Sequence, residues 1–235
     1  MTTEAGAPTS GQRWLLAVDG IDGSGKTVLG QRLVAALGEA GRPAALLRVD
    51  DFRRPVDWRA AGRLESDVYY EDYYDLVRLN DAIEAFLAGG SGVTIPVFDS
   101  ASERITGERR ITFEGTTALL VEGVFVQRSP AVRDRGGIVY LRTSFDEARR
   151  RILARDTARG RTLADVSHRI SARYFPAQER YLREHQPVVR ADVLVEHERL
   201  GAPTTARLDL TRFAPGVEVI LRRALEAFAA PPTAE

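Results

Sequence analysis

The stretch that most constrains this chain is Gly20-Ile21-Asp22-Gly23-Ser24-Gly25-Lys26-Thr27, which fits G-x-x-x-x-G-K-[ST] at every fixed position. Before it lies a near-continuous apolar run, Arg13 to Asp19, of the kind that forms a buried parallel strand. After it, Leu29, Leu33, Val34, Ala36 and Leu37 recur at helical spacing. A strand, a glycine turn and a helix in that order make a cradle for phosphate. Glycines let backbone N–H groups converge on the anion without Cβ obstruction, and the helix presents its positive end to it. Lys26 adds a compact, mobile charge for the terminal phosphates, and Thr27 adds a hydroxyl for Mg²⁺. Gly20 to Thr27 are therefore the candidate ATP-binding residues.

Composition sharpens that reading at one point. Of 33 basic residues, one is lysine and 32 are arginine, and the single lysine occupies the one slot that wants it. The 33 basic residues are balanced by 33 acidic ones, so no basic excess suggests nucleic acid or an anionic membrane as a partner. With no cysteine, disulfides and thiolate metal sites are excluded. His168, His185 and His197 lack the close spacing of a helical metal pair and read as structural or surface residues. No apolar run approaches the ~20 residues of a membrane span, and residues 1–11 carry no signal pattern. The expectation is a soluble, cytoplasmic protein with a flexible tail over 1–11 and a single domain over 12–235.

Further apolar runs at Ala44 to Val49, Thr117 to Val121, Gly137 to Leu141 and Ala191 to Glu196 read as strands. Leu76 to Leu87 reads as a helix closed by Gly89-Gly90. Val93 to Phe98 and Arg109 to Phe113 read as a hairpin, and 52–75 as an irregular loop covering a substrate. Ser144 with Glu147 has the capping-box pattern for a further helix, and a last helix spans about 216–229. Strands alternating with helices predict an α/β fold: a three-layer P-loop NTPase fold with a mostly parallel sheet, a small β-hairpin and a helical lid. Its ligand chemistry would lie at the strand C-termini. Glu122, a carboxylate closing an apolar strand, is the second metal-site candidate beside Thr27.

The subclass follows from other motifs. A guanine-reading N-K-x-D is excluded, because the sole asparagine, Asn80, precedes aspartate and no second lysine exists. The loop resembles that of thymidylate kinases, yet their Asp-Arg-Tyr/His motif is missing where Asp134-Arg135 runs into Gly136. From about 13 to 196 the chain resembles the uridine kinase family of P-loop nucleoside kinases, relatives of phosphoribulokinase and bacterial pantothenate kinase. Asp50-Asp51-Phe52 looks like the family's Asp-Ser-Phe-Tyr segment, Thr94 to Asp99 like its hairpin strand, and Leu120-Val121-Glu122-Gly123-Val124 like its F-E-G-I strand. Arg150 to Asp156 with Arg159-Gly160-Arg161-Thr162 looks like its lid helix, and Ala191 to Val195 like its final strand.

The resemblance implies ATP- and Mg²⁺-dependent phosphoryl transfer to the 5′-hydroxyl of uridine or cytidine. It implies Asp50 as the base that accepts the hydroxyl proton and also contacts the metal shell, with Asp51 as the runner-up. Arg151, Arg155 and Arg159, four apart, share one helix face toward the triphosphate; Arg155 is taken as catalytic with Asp50 and Lys26. Arg161 and Arg104 are acceptor-side candidates. In the ribose-binding segment, Tyr69-Tyr70-Glu71-Asp72-Tyr73-Tyr74-Asp75 stands where the family has D-H-P-x-A-F-D, so Tyr69 replaces the ribose aspartate; Asp72 and Tyr70 are the substitute contacts. The family's pyrimidine-contacting histidine has no counterpart, and Ser102-Glu103 occupy its region. Alternative acceptors are pantothenate, nicotinamide riboside or a sugar phosphate, and a non-catalytic nucleotide sensor is the other reading. The partners are thus ATP and a small molecule. Uridine kinases are often homo-oligomers, but no exposed apolar seam in the sequence demands one.

Overall fold

A computed structural model of the chain describes residues 12–60 and 62–229; the expected tail over 1–11 lies outside the described residues. The elements are β1 (Trp14–Gly20), α1 (Lys26–Glu39), β2 (Ala44–Arg48), α2 (Glu65–Glu71), α3 (Leu76–Leu87), β3 (Gly92–Asp99), β4 (Arg104–Thr112), β5 (Ala118–Glu122) and α4 (Pro130–Arg135). They continue with β6 (Gly136–Arg142), α5 (Phe145–Ala158), α6 (Leu163–Arg169), α7 (Phe175–His185), α8 (Pro187–Arg190), β7 (Val193–Glu196), β8 (Thr204–Leu208) and α9 (Val217–Ala229). One sheet runs in the order β2-β5-β1-β6-β7-β8, parallel except for the last strand. The other is the antiparallel β3-β4 pair. This is the expected α/β architecture.

Both faces of the large sheet are buried, which is why its strands read as unbroken apolar runs. Leu15, Ala17, Leu119, Val121 and Ile138 face one side, where α3, α4 and α7 contribute Phe86, Val132 and Tyr181. Leu16, Val18, Leu120, Val139 and Val195 face the other, under Leu29 and Leu33 of α1 and Ile220 and Leu221 of α9. A third, smaller cluster ties Ile21 of the glycine loop to Ala148 and Ile152 of α5 and to Val166 and Ile170. Parallel pairing sets Val18 and Arg48 on either side of Glu122, so β1, β2 and β5 end together.

Several sequence expectations are corrected. The irregular span 52–75 contains α2, whose Val68, Tyr69 and Tyr70 are buried. Strand β4 begins at Arg104 rather than near Arg109; its residues are nearly all exposed, so no apolar alternation marked it. The capping box at α5 is only half formed. Ser144 Oγ accepts from the Glu147 N–H, but the Ser144 N–H donates to Glu198, because Glu147 is taken by Arg150 and Arg151. Edge strand β8 and helices α6 to α8 carried no legible pattern. Among the described residues no helix is long and apolar enough to cross a membrane.

Leu120 is fully buried between the sheet and α1. Leu120→Ala should destabilise the chain by about 2–5 kcal/mol through lost burial and a residual cavity, read as a lower denaturant midpoint.

Candidate active site

Asp19, the next-to-last residue of β1, has no exposed surface. It accepts hydrogen bonds from the Gly20 N–H, from Gln127 Nε2 and from the Tyr181 hydroxyl at 2.7, 2.9 and 2.7 Å. The chain then turns through the glycine loop into α1. Gly23 and Gly25 have φ of +79° and +100°; a Cβ on Gly23 would lie 2.8 Å from the Ala148 carbonyl oxygen, and one on Gly25 3.1 Å from the Phe228 ring. Both positions therefore need glycine for conformation and for space. Lys26 is buried and folds back over the loop, its Nζ donating to the Ile21 carbonyl at 2.8 Å. Thr27 donates to Glu122 Oε1 at 3.1 Å, and Arg48 lies 3.4 Å from the same oxygen. Burial pushes the Glu122 carboxyl up, opposed chiefly by Lys26.

After β2 a single 3-10 turn, Val49–Phe52, separates two neighbouring acids. Asp51 accepts from the Arg48 N–H and pairs with Arg109 at 2.8 Å, tying the turn to the hairpin. Asp50 instead lines a cavity of about 450 Å³. There Arg53 lies 2.6 Å from its Oδ2, and the Tyr74 hydroxyl donates to its Oδ1 at 3.2 Å. The same cavity is walled by Asp22, Tyr69, Tyr174, Arg155 and Arg161. Asp22 Oδ2 accepts from Gln178 Nε2 at 2.6 Å and from the Tyr69 hydroxyl at 2.9 Å.

The lid arginines divide. Arg155 and Arg159 line the cavity, with Arg155 2.6 Å from the buried Asp156 and Arg161 reaching the other Asp156 oxygen at 3.5 Å. Arg151 points elsewhere: it donates to the carbonyls of Gly23 and His197 at 3.4 and 2.7 Å. His197, buried as the sequence reading allowed, contacts the Ser24 carbonyl through Nδ1 at 2.7 Å, and burial lowers its pKa. Arg151 and His197 thus grip the outer side of the loop.

Three acceptor-side candidates lie outside the cavity. Tyr70 is buried with its hydroxyl on Glu184 at 3.1 Å and Arg128 and Arg180 over its ring, a consequence of helical periodicity turning it away from Tyr69. Asp72 forms an ion pair with Arg63. Arg104 opens β4 opposite Asp99. In their place the fold brings Arg53, Tyr174, Gln178 and Arg169 to the site. Tyr174 closes a π-helical turn, Ile170–Tyr174, between α6 and α7, a feature with no sequence signature. Only the tyrosine cluster at 69–74 gave any advance sign.

The residues present suit a magnesium nucleotide. Mg²⁺ keeps most of its ligands as water and phosphate oxygen, so one hydroxyl and one carboxylate, Thr27 and Glu122, are a fitting protein share. Among the described residues there is no group of three or more His, Cys, Asp or Glu that could hold a metal by themselves.

Residues 15–200 match the model of the phosphoribulokinase/uridine kinase family. A curated relative, the uridine kinase of Macrococcus caseolyticus, is 28% identical over 155 residues, covering 65% of this chain and 73% of its own length. The fold is similar to that of a possible uridine kinase from Bacillus stearothermophilus, with a TM-score of 0.62 at 24% identity over 80% of this chain and 91% of the other. It is also similar to phosphoribulokinase from Rhodobacter spheroides, with a TM-score of 0.51 at 12% identity over 80% and 71%.

Burial, opposed by the hydrogen bond from Tyr181, pushes the Asp19 carboxyl from 3.8 up to about 6. The folded chain then holds this proton more tightly than the unfolded chain, so stability contributed by Asp19 falls as pH rises from 3.8 to about 6. The full loss is of order 3 kcal/mol. Unfolding free energies measured across that window should show the decline in the wild type and a flatter profile in Asp19→Asn.

Proposed function

This chain belongs to the phosphoribulokinase/uridine kinase family, and on that footing we propose that it transfers the γ-phosphoryl group of ATP to a hydroxyl of a small acceptor, the 5′-hydroxyl of uridine or cytidine. The observation that carries the reading is that Asp50 opens into the same cavity as Asp22 of the glycine loop and the lid residues Arg155 and Arg161. Asp51, its neighbour, is occupied by Arg109 and the Arg48 N–H.

In this mechanism the loop from Gly20 to Thr27 binds the triphosphate through its N–H groups and the N-terminus of α1. Lys26 leaves the Ile21 carbonyl for the β- and γ-phosphates. Thr27 and Glu122 would hold Mg²⁺, with Asp50 as a further oxygen donor, and the ion would neutralise phosphate charge. Asp50 takes the proton of the acceptor hydroxyl as its oxygen attacks phosphorus. Arg155 and Arg161 supply positive charge in the cavity, where charge spreads over the transferring group. Residues 12–235 act as one domain in this reading.

A different acceptor is favoured by one observation. Tyr69 stands at the family's ribose-aspartate position, and neither Tyr70 nor Asp72 reaches the cavity to replace it. Consumption of Mg²⁺-ATP against uridine, cytidine, other nucleosides, pantothenate, nicotinamide riboside and sugar phosphates decides the acceptor. ATP binding without turnover on the whole panel would favour the sensor.

Lys26→Ala should abolish tight ATP binding, measured by calorimetry; unchanged affinity would remove the loop from the mechanism. Asp50→Asn should bind ATP like the wild type while turnover falls by about 10² or more. Wild-type turnover in that variant would remove Asp50 as the base.

A further inference from the structure

The turn that joins β3 to β4 carries an acid into the cavity. Asp99 fixes this turn, its carboxylate accepting from the Ala101 and Ser102 N–H groups at 3.0 and 3.2 Å. Glu103 follows with φ of +53°, a left-handed conformation that non-glycine residues seldom adopt and that clusters at functional sites. Its side chain lines the cavity shared with Asp50 and Asp22. Glu103 Oε2 accepts from Trp58 Nε1 at 3.1 Å. The Trp58 ring is in turn held by the Tyr73 ring at 5.0 Å and the Arg173 guanidinium at 3.9 Å. The segment before α2 thus orients the carboxylate.

The other cavity acids are occupied. Asp50 meets Arg53 and Tyr74, Asp22 meets Gln178 and Tyr69, and Asp156 meets Arg155 and Arg161. A carboxylate offers about four acceptor sites, and among the described residues the Glu103 side chain makes one hydrogen bond. The cation beside it, Arg169, stands 4.0 Å away and is paired with Asp165 at 3.0 Å. Arg159 stands with Arg155 on the lid, the side given to the triphosphate. Spare acceptor sites attract an N–H or O–H group, whereas a second anion beside this carboxylate is repelled more strongly than it would be in bulk water.

We propose that Glu103 is a specificity-determining residue for the acceptor. It accepts a hydrogen bond from an N–H or O–H group of an uncharged acceptor and turns away acceptors that carry a carboxylate or phosphate at that end. This deepens the kinase reading and rests on the acceptor sharing the cavity of Asp50. It ranks a nucleoside above pantothenate or a sugar phosphate.

Two matched pairs isolate the charge: uridine with 5-carboxyuridine, and pantothenol with pantothenate. Each compound is titrated by calorimetry into the full chain with Mg²⁺ and a β,γ-imido analogue of ATP, which needs no turnover, and is then assayed with ATP. The wild type should bind the uncharged member of at least one pair, about tenfold or more tighter than its charged partner. In Glu103→Gln the amide oxygen can still accept from Trp58, which leaves N–H groups for the cavity. Affinity for the uncharged member should then fall about tenfold, and its advantage over the charged one should narrow by as much. In turnover, KM for the acceptor should rise more than kcat falls. A residue that merely held the turn would weaken both members alike. Should Glu103→Gln not fold, Glu103→Gly removes the carboxylate at a φ that glycine adopts freely, with the same expectation. Unchanged affinity and preference in these variants overturn the assignment, as does a wild type that favours the charged members or binds no uncharged one. Preference lost in the variants, with neither pair turned over by the wild type, leaves Glu103 standing and removes the kinase reading for these acceptors. Turnover of uridine with the preference intact in the variants does the reverse.

Discussion

The tight turn between β1 and α1 is held from outside, and the rest of the site is arranged around that grip. Gly23 presses against the backbone of α5, with no space for a Cβ, and Gly25 lies so close to Phe228 and His197 that a Cβ would have to push them aside. His197 contacts the Ser24 carbonyl, and Arg151 reaches that of Gly23. In a trans peptide the carbonyl and the following N–H point in opposite directions. Securing the Ser24 carbonyl on the outside therefore turns the Gly25 N–H inward, toward where an anion would lie. Three elements far apart in sequence, α5, the exit of β7 and α9, set the loop in this way. The last of them lies beyond the 15–200 span that matches the family.

The same grip explains why the lid arginines are not equivalent. Arg151 lies deep on α5, where its guanidinium meets Glu147 and the backbone carbonyls of Gly23, Ser24 and His197 and is fully engaged. Arg155 is one turn further along, and Arg159 caps the helix end, so they reach the cavity while Arg151 cannot. A four-residue spacing puts side chains on one face, but what lies opposite each turn of that face differs.

The acids are sorted by environment as well. Asp19 is sealed beneath the loop with three donors, and Glu122 is buried between strand ends beside Thr27. Asp50 is half exposed in the cavity, and Asp51 faces the hairpin. Asp22 and Asp50 are bridged by tyrosines whose packing against Phe125 is part of the main core. The tyrosine-rich segment is thus both a wall of the core and a wall of the cavity, which is why its rings are largely buried.

The sequence alone determined the parts of this protein whose physics is local. A glycine loop with one lysine between an apolar run and an amphipathic helix specifies a phosphate cradle, because glycine conformation and helix polarity act over a few residues. Strands buried on both faces announced themselves as apolar runs, and Leu76–Leu87 was legible through the glycines that follow it, while its cap, Asp75 accepting from the Arg78 N–H, emerged only in the structure. The tertiary structure decided what depends on direction. Tyr69 and Tyr70 are adjacent and alike in chemistry, yet the helical turn of about 100° per residue sends one to the cavity and the other to Glu184. Asp50 and Asp51 part at a 3-10 turn for the same reason. Gln178, Tyr174 and His197 reach the site only because a π-turn and a strand exit carry them there, and composition holds no record of where a side chain points.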